Sequence, residues 1–159
     1  GENTHLSWRS PAPWKGKQRL IKFDLTTGEK TTIEPFDKKG GGIIAPPVNI
    51  PEFKMSIAWD SINGGLAGIS TIDKQLKVSW HLDVRPSMQP VVFPESGELV
   101  INNFENGEDE LIVVDIASGE LLSQVKVNSK LANGMFLTPG FSRDIFYCTT
   151  GTFSKVTWS

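Results

Sequence analysis

Between residues 91 and 127 the chain alternates apolar and polar residues with the period of two expected of strands that bury one face. Leu99, Ile101, Leu111, Val113, Leu122, Val125 and Val127 supply the apolar positions, and Glu98, Glu110, Gln124 and Lys126 fall among them. Polar turns cut the stretch into strand-sized pieces, notably Pro94-Glu95-Ser96-Gly97 and Asp115-Ile116-Ala117-Ser118-Gly119-Glu120. Asp115 and Ser118 have short side chains that bond nearby backbone N–H groups, and Gly119 accepts positive φ without a Cβ clash. The pattern predicts a four-stranded antiparallel meander.

Both turns recur. The first-turn proline appears as Pro51, Pro94 and Pro139, separated by 43 and 45 residues; the second-turn aspartate appears as Asp24, Asp73 and Asp115, separated by 49 and 42. Asp24-Leu25-Thr26-Thr27-Gly28-Glu29 copies the later turn almost residue for residue. Four strands repeating every 40 to 50 residues are the signature of propeller blades. The expectation is an all-β chain of about 13 short strands, with an N-terminal arm over 1–17 and a partial β-propeller domain over 18–159. The turn spacing implies about three and a half blades, fewer than close a ring. The end blades then expose Ile21, Phe23 and Phe146, and a homo-oligomer or further blades of a longer chain complete the ring.

The run from Leu111 to Gly151 resembles the blades of bacterial β-propellers of the YVTN and quinoprotein-like type, in which an Asp-x-x-Thr-Gly-Glu-like turn joins the two outer strands. The chain departs from the quinoprotein pattern in lacking a Gly-x-x-x-Trp ending on each blade: Leu121 to Val125 has no Trp, and Trp80 and Trp158 stand at unmatched offsets. No quinone or other cofactor is therefore expected.

Composition narrows the picture further. Among 159 residues the net charge is −2, which supplies no electrostatic reason for nucleic acid or an anionic membrane as partner. No apolar run approaches the roughly 18 residues that span a bilayer. A lone Cys148 excludes an intramolecular disulfide, and its place in an alternating run makes it a small buried hydrophobe. Lys39 to Gly42 has glycines but no following Lys-Ser/Thr, so it is a linker and not a phosphate loop.

Propeller ligands bind where loops between blades and between second and third strands gather. Those loops are expected at 37–46, 83–90 and 128–134, and at 60–65, 103–110 and 149–152. The candidate ligand-binding residues are Arg85, Gln89, Asn102, Asn103 and Glu105, with no catalytic and no metal-binding set. Arg85 and Asn103 are expected at the surface, where replacement changes stability by less than about 0.5 kcal/mol. Glu105, Glu108, Asp109 and Glu110 are taken as a solvated acidic loop, with Ca²⁺ attraction as the alternative. The functional expectation is a non-catalytic binding or assembly module with a small-molecule or protein ligand. The alternative is part of a metal-dependent lactonase or hydrolase, which paired Asn and Glu at a propeller mouth resemble.

Overall fold

The computed structural model describes residues 15–42, 46–72, 75–127, 134–149 and 151–159. Within them the chain is all-β, with thirteen strands and a single 3₁₀ turn at Pro51–Phe53. The first sheet pairs β1 (Leu20–Phe23) with β2 (Lys30–Ile33). The second holds β3 (Val48–Ile50), β4 (Met55–Trp59), β5 (Leu66–Ser70) and β6 (Lys77–Leu82). The third holds β7 (Val91–Phe93), β8 (Glu98–Glu105), β9 (Glu108–Asp115) and β10 (Leu121–Lys126). The fourth holds β11 (Gly134–Pro139), β12 (Asp144–Thr149) and β13 (Phe153–Thr157). Every sheet is an antiparallel meander in chain order.

The repeated turns are alike atom by atom. Asp24 N–H donates to Glu29 O at 2.9 Å and Gly28 N–H to Asp24 O at 2.8 Å; Asp115 N–H donates to Glu120 O and Gly119 N–H to Asp115 O, both at 2.9 Å. In each turn the aspartate Oδ1 also accepts the N–H of the residue three on, Thr27 at 3.1 Å and Ser118 at 2.7 Å. Gly28 and Gly119 sit at φ +75 and +76, where an L side chain is strained. The proline turns match as well: Lys54 N–H donates to Pro51 O and Gly97 N–H to Pro94 O, with φ 49 and 73 at the closing residues.

Three expectations need correction. The loop expected at 103–110 is mostly strand, because β8 and β9 run on to a two-residue turn at Asn106 and Gly107, whose φ values of 52 and 83 suit the twist of a tight hairpin. Pro139 lies in β11 opposite Ile145, so the third copy of the first turn is formed by Gly140 to Asp144 instead. Cys148 is half-buried, not buried, since it faces away from the third sheet between Phe136 and Phe153. The expected turn at Asp73 and Lys74 lies outside the described residues, as does most of the arm expected over 1–17. Of that arm, Lys17 bridges Lys39 at the edge of the first sheet.

Alternation along each strand sends side chains to two faces, and the sheets stack on those faces in chain order. Leu20 and Ile33 of the first sheet meet Ala58, Ala67, Ile69 and Val78 of the second. Ile57, Trp59 and Leu66 on the opposite side of the second sheet meet Leu99, Ile101, Ile112 and Val114 of the third. Val100, Leu111 and Val113 on the far side of the third meet Ile145 and Tyr147 of the fourth. Trp80 bridges the second and third sheets: its Nε1–H donates to Ile116 O at 2.9 Å, and its ring lies so close over Gly68 and Gly119 that a Cβ on either would come within 2.5 Å.

Candidate functional site

The first strands of the second, third and fourth sheets border an open trough of about 540 Å³. Val48 of β3, Val91 and Val92 of β7, and Phe136, Leu137 and Pro139 of β11 form its walls, and the linker Ser87–Pro90 crosses its floor together with Trp59. The walls are apolar because each first strand follows a turn and carries Val, Phe or Leu at its inward positions. Each of these strands is also the edge of its sheet. The polar groups in the trough are Ser87 and Gln89, which supply hydrogen bonds without charge.

The expected site residues fall into three places. Gln89 is exposed and lines the trough. Asn102 is fully buried in β8, directly behind the linker: its Oδ1 accepts from Ser87 N–H and Met88 N–H at 3.0 Å each, and its Nδ2 donates to Ser87 Oγ at 2.8 Å. Nδ2 also donates to Asp109 Oδ1 at 3.1 Å, and Asp109 Oδ2 accepts from Tyr147 Oη–H at 2.7 Å. Asp109 and Tyr147 are 1% exposed, so this chain of polar groups links the trough floor to the fourth sheet through the interior.

Asn103 and Arg85 form a second arrangement at the end of the same strand. Asn103 Oδ1 accepts from Arg85 N–H at 2.8 Å, and Phe104 N–H donates back to Arg85 O at 2.9 Å. Asn103 is 8% exposed, so the surface position expected for it is corrected: the side chain spends its acceptor on the linker between sheets. Arg85 is exposed as expected, with Nη2 donating to Ile62 O at 2.8 Å. The same clasp occurs one sheet earlier. Asp60 Oδ1 accepts from Gly42 N–H at 3.1 Å, and Ser61 N–H donates to Gly42 O at 2.9 Å. Asp60 is fully buried and also caps its own turn, accepting from Ile62 and Asn63 N–H at 2.9 and 3.0 Å.

Glu105 lies apart, exposed at the tip of the β8–β9 hairpin. The acidic run there is compensated by Lys126 of β10, whose Nζ meets Glu108 Oε2 at 3.1 Å. That hydrogen bond, with the charges of Glu108, Glu110 and Glu105, raises the lysine above its ordinary value. Asp109 points inward and is no part of an acidic loop. Among the described residues no group of three or more His, Cys, Asp or Glu is placed to hold a metal ion.

At the opposite end of β8, buried Glu98 accepts from Arg143 Nε at 2.8 Å, Ser96 Oγ at 2.8 Å and Trp158 Nε1 at 3.3 Å. Arg143 also engages Glu98 through Nη2 and lies over the Trp158 ring. The Arg143 hydrogen bond foremost holds Glu98 below the usual glutamate range against the opposing effect of burial. This cluster fastens the third sheet to the fourth beneath the trough.

Sequence reasoning passed over Ser87, Asp109, Tyr147 and Asp60. For Asp60 a signal was present, since Asp-Ser-Ile-Asn is a strong side-chain-capped turn. Asp109 stood one residue from the hairpin tip, and the strand period places it on the same face as Leu111 and Val113. No protein-family model matches the chain, and no curated protein sequence matches it.

Proposed function

We propose that the chain is a non-catalytic binding module built of β-propeller blades, with 18–159 forming a sector of the ring and the trough along β3, β7 and β11 as its ligand site. The observation that carries this reading is the convergence of first strands: of strands in different sheets, β7 and β11 make the most extensive backbone approach, and the trough opens beside them. Sheets that approach at their first strands and spread outward form wedges around an axis, and small molecules bind where such inner strands meet. The ligand is a small, uncharged, partly apolar molecule, because the trough offers aliphatic and aromatic walls with one amide and one hydroxyl. Ser87 Oγ accepts from Asn102 and keeps its own proton to donate; Gln89 both donates and accepts. Arg85, Asn102 and Asn103 act from behind by fixing the linker that carries these groups.

Association belongs to the same reading. Ile21 and Phe23 are 42% and 59% exposed on the outer side of the first sheet, and Phe136 and Phe153 are 60% and 70% exposed on the outer side of the fourth. A second copy stacks its first sheet on this chain's fourth, with the polarity of the three stacked interfaces within the chain.

The binding claim is tested with small uncharged aromatic and amide fragments added to ¹⁵N-labelled protein. Amide shifts at Gln89, Val91 and Leu137 that saturate, and that vanish in Val91→Lys, are the expected result. Shifts confined to another surface, or unchanged in the variant, overturn it. Light scattering tests association: a mass of twice 17.5 kDa that halves in Phe153→Lys is expected, and a monomer at micromolar concentration refutes it.

A further inference from the structure

A second groove, of about 470 Å³, lies between the third and fourth sheets on the side away from the trough. Its floor is Leu111, Val113 and Val125 of the third sheet, and its wall is Val156 and Thr157 of β13. In the second and third sheets a fourth strand, β6 or β10, pairs antiparallel with the third. In the fourth sheet, among the described residues, β13 is the last strand, and its edge away from β12 borders this groove. A strand edge presents unpaired N–H and C=O groups in register for one more strand.

The chain itself shows what a fourth strand does. Alongside β5, Val78 of β6 and the preceding Leu76 pack on Leu20 and Ile33 of the neighbouring first sheet. The corresponding surface of the third sheet leaves Val125 49% exposed, although its cross-strand partner Leu111 is 2% exposed. The groove continues the intramolecular interface between the third and fourth sheets, sharing Val100, Leu111, Val113 and Val156 with it. None of its lining residues is charged.

We propose that this groove is a docking site for a single extended segment of a partner polypeptide, added antiparallel to β13, with uncharged, alternating apolar side chains turned inward onto Val125 and Val113. β10 overhangs the groove, which suits one strand and excludes a partner sheet already stacked on that face. The uncharged lining sets the inward residues, since an inward Lys or Glu loses hydration and finds no counter-ion. The proposal concerns a surface separate from the trough and stands without it.

The test uses the full chain and a fluorescein-labelled heptapeptide with the sequence of residues 76–82, the chain's own fourth strand beside β5. Saturable anisotropy is expected, with at least tenfold weaker binding for Val125→Glu protein and for a V78P peptide, which lacks one ladder donor. The exposed position of Val125 leaves the fold of V125E intact, checked by an unchanged urea midpoint. Amide exchange should slow at least tenfold in β13 on peptide addition. No saturation, binding indifferent to V125E, or protection elsewhere overturns the proposal. So does a peptide-free chain whose β13 is already protected by a dimer that V125E dissociates, because the occupant is then a second copy.

Discussion

Replacing Asn102 by alanine tests whether the buried polar chain behind the trough holds the second half of the molecule together. The side chain makes four hydrogen bonds and is fully buried, so nothing replaces them from solvent. Its loss leaves Ser87 and Met88 N–H without their acceptor and takes one donor from the Asp109 carboxylate. An unsatisfied buried polar group costs about 1–3 kcal/mol, and these groups share one site, so N102A should lose about 3–5 kcal/mol. That is a large share of the ~5–15 kcal/mol typical of a domain. Asn102→Asp keeps the acceptor but sets a second carboxylate where Nδ2 now lies 3.1 Å from Asp109 Oδ1. Two ionised carboxylates at that distance repel, so one of the pair keeps a proton in the fold with an affinity above its unfolded value. Stability linked to a raised pKa is present at low pH and lost as pH rises. N102D should therefore be closest to the parent near pH 4 and fall behind it at pH 7. Urea denaturation of parent, N102A and N102D at both pH values measures this. A loss under 0.5 kcal/mol in N102A, or an N102D deficit that does not depend on pH, refutes the reasoning.

Other outcomes follow from the same geometry. Asn103→Ala and Asp60→Ala each break a clasp between a strand end and the preceding linker; each should cost about 1–3 kcal/mol in urea melts, with Asp60 the larger because it also caps its turn. Gly119→Ala combines a φ of +76 with a Cβ 2.5 Å from the Trp80 ring and should cost about 3 kcal/mol, visible as a red-shifted Trp emission in mild denaturant. Glu98, Asp144 and Asp24 all hold protons more weakly than usual, through Arg143, Lys155 and the Thr27 and Thr26 N–H groups respectively. Carboxylates depressed in the fold contribute stability above their unfolded values and lose it as pH falls through the folded ones, so the thermal midpoint should drop below about pH 4. Arg143→Met should reduce the part of that drop due to Glu98.

Turns were the most legible part of the chain. Asp, Ser or Thr and Gly at fixed offsets dictate local hydrogen bonds that need no tertiary partner, and Asp24 and Asp115 make them at nearly identical distances. Strands were legible where one face is buried, as in β8 and β9, because alternation reports that burial directly. The β8–β9 hairpin end was misjudged since Asn102 and Asn103 look like loop residues by composition. Their amides serve a neighbouring linker that is 14 to 18 positions away in sequence, and no local pattern announces such a contact. The same applies to Tyr147, whose hydroxyl reaches Asp109 across 38 positions. Gln89 was found for a sound reason, its place in a linker between units, while the trough's walls came from first strands too short to show a period.

Distance measurements between spin labels test most directly whether the stacked sheets are propeller blades. One pair sits on first strands, at Asn49 in β3 and Thr138 in β11; the other sits farther out, at Ser79 in β6 and Thr157 in β13. All four positions are exposed. Sheets stacked flat lie about 10 Å apart along their whole width, which makes the two separations equal. Blades around an axis make the inner separation shorter than the outer by more than the spread of the labels, and that is the predicted result; equal separations, or a longer inner one, contradict it.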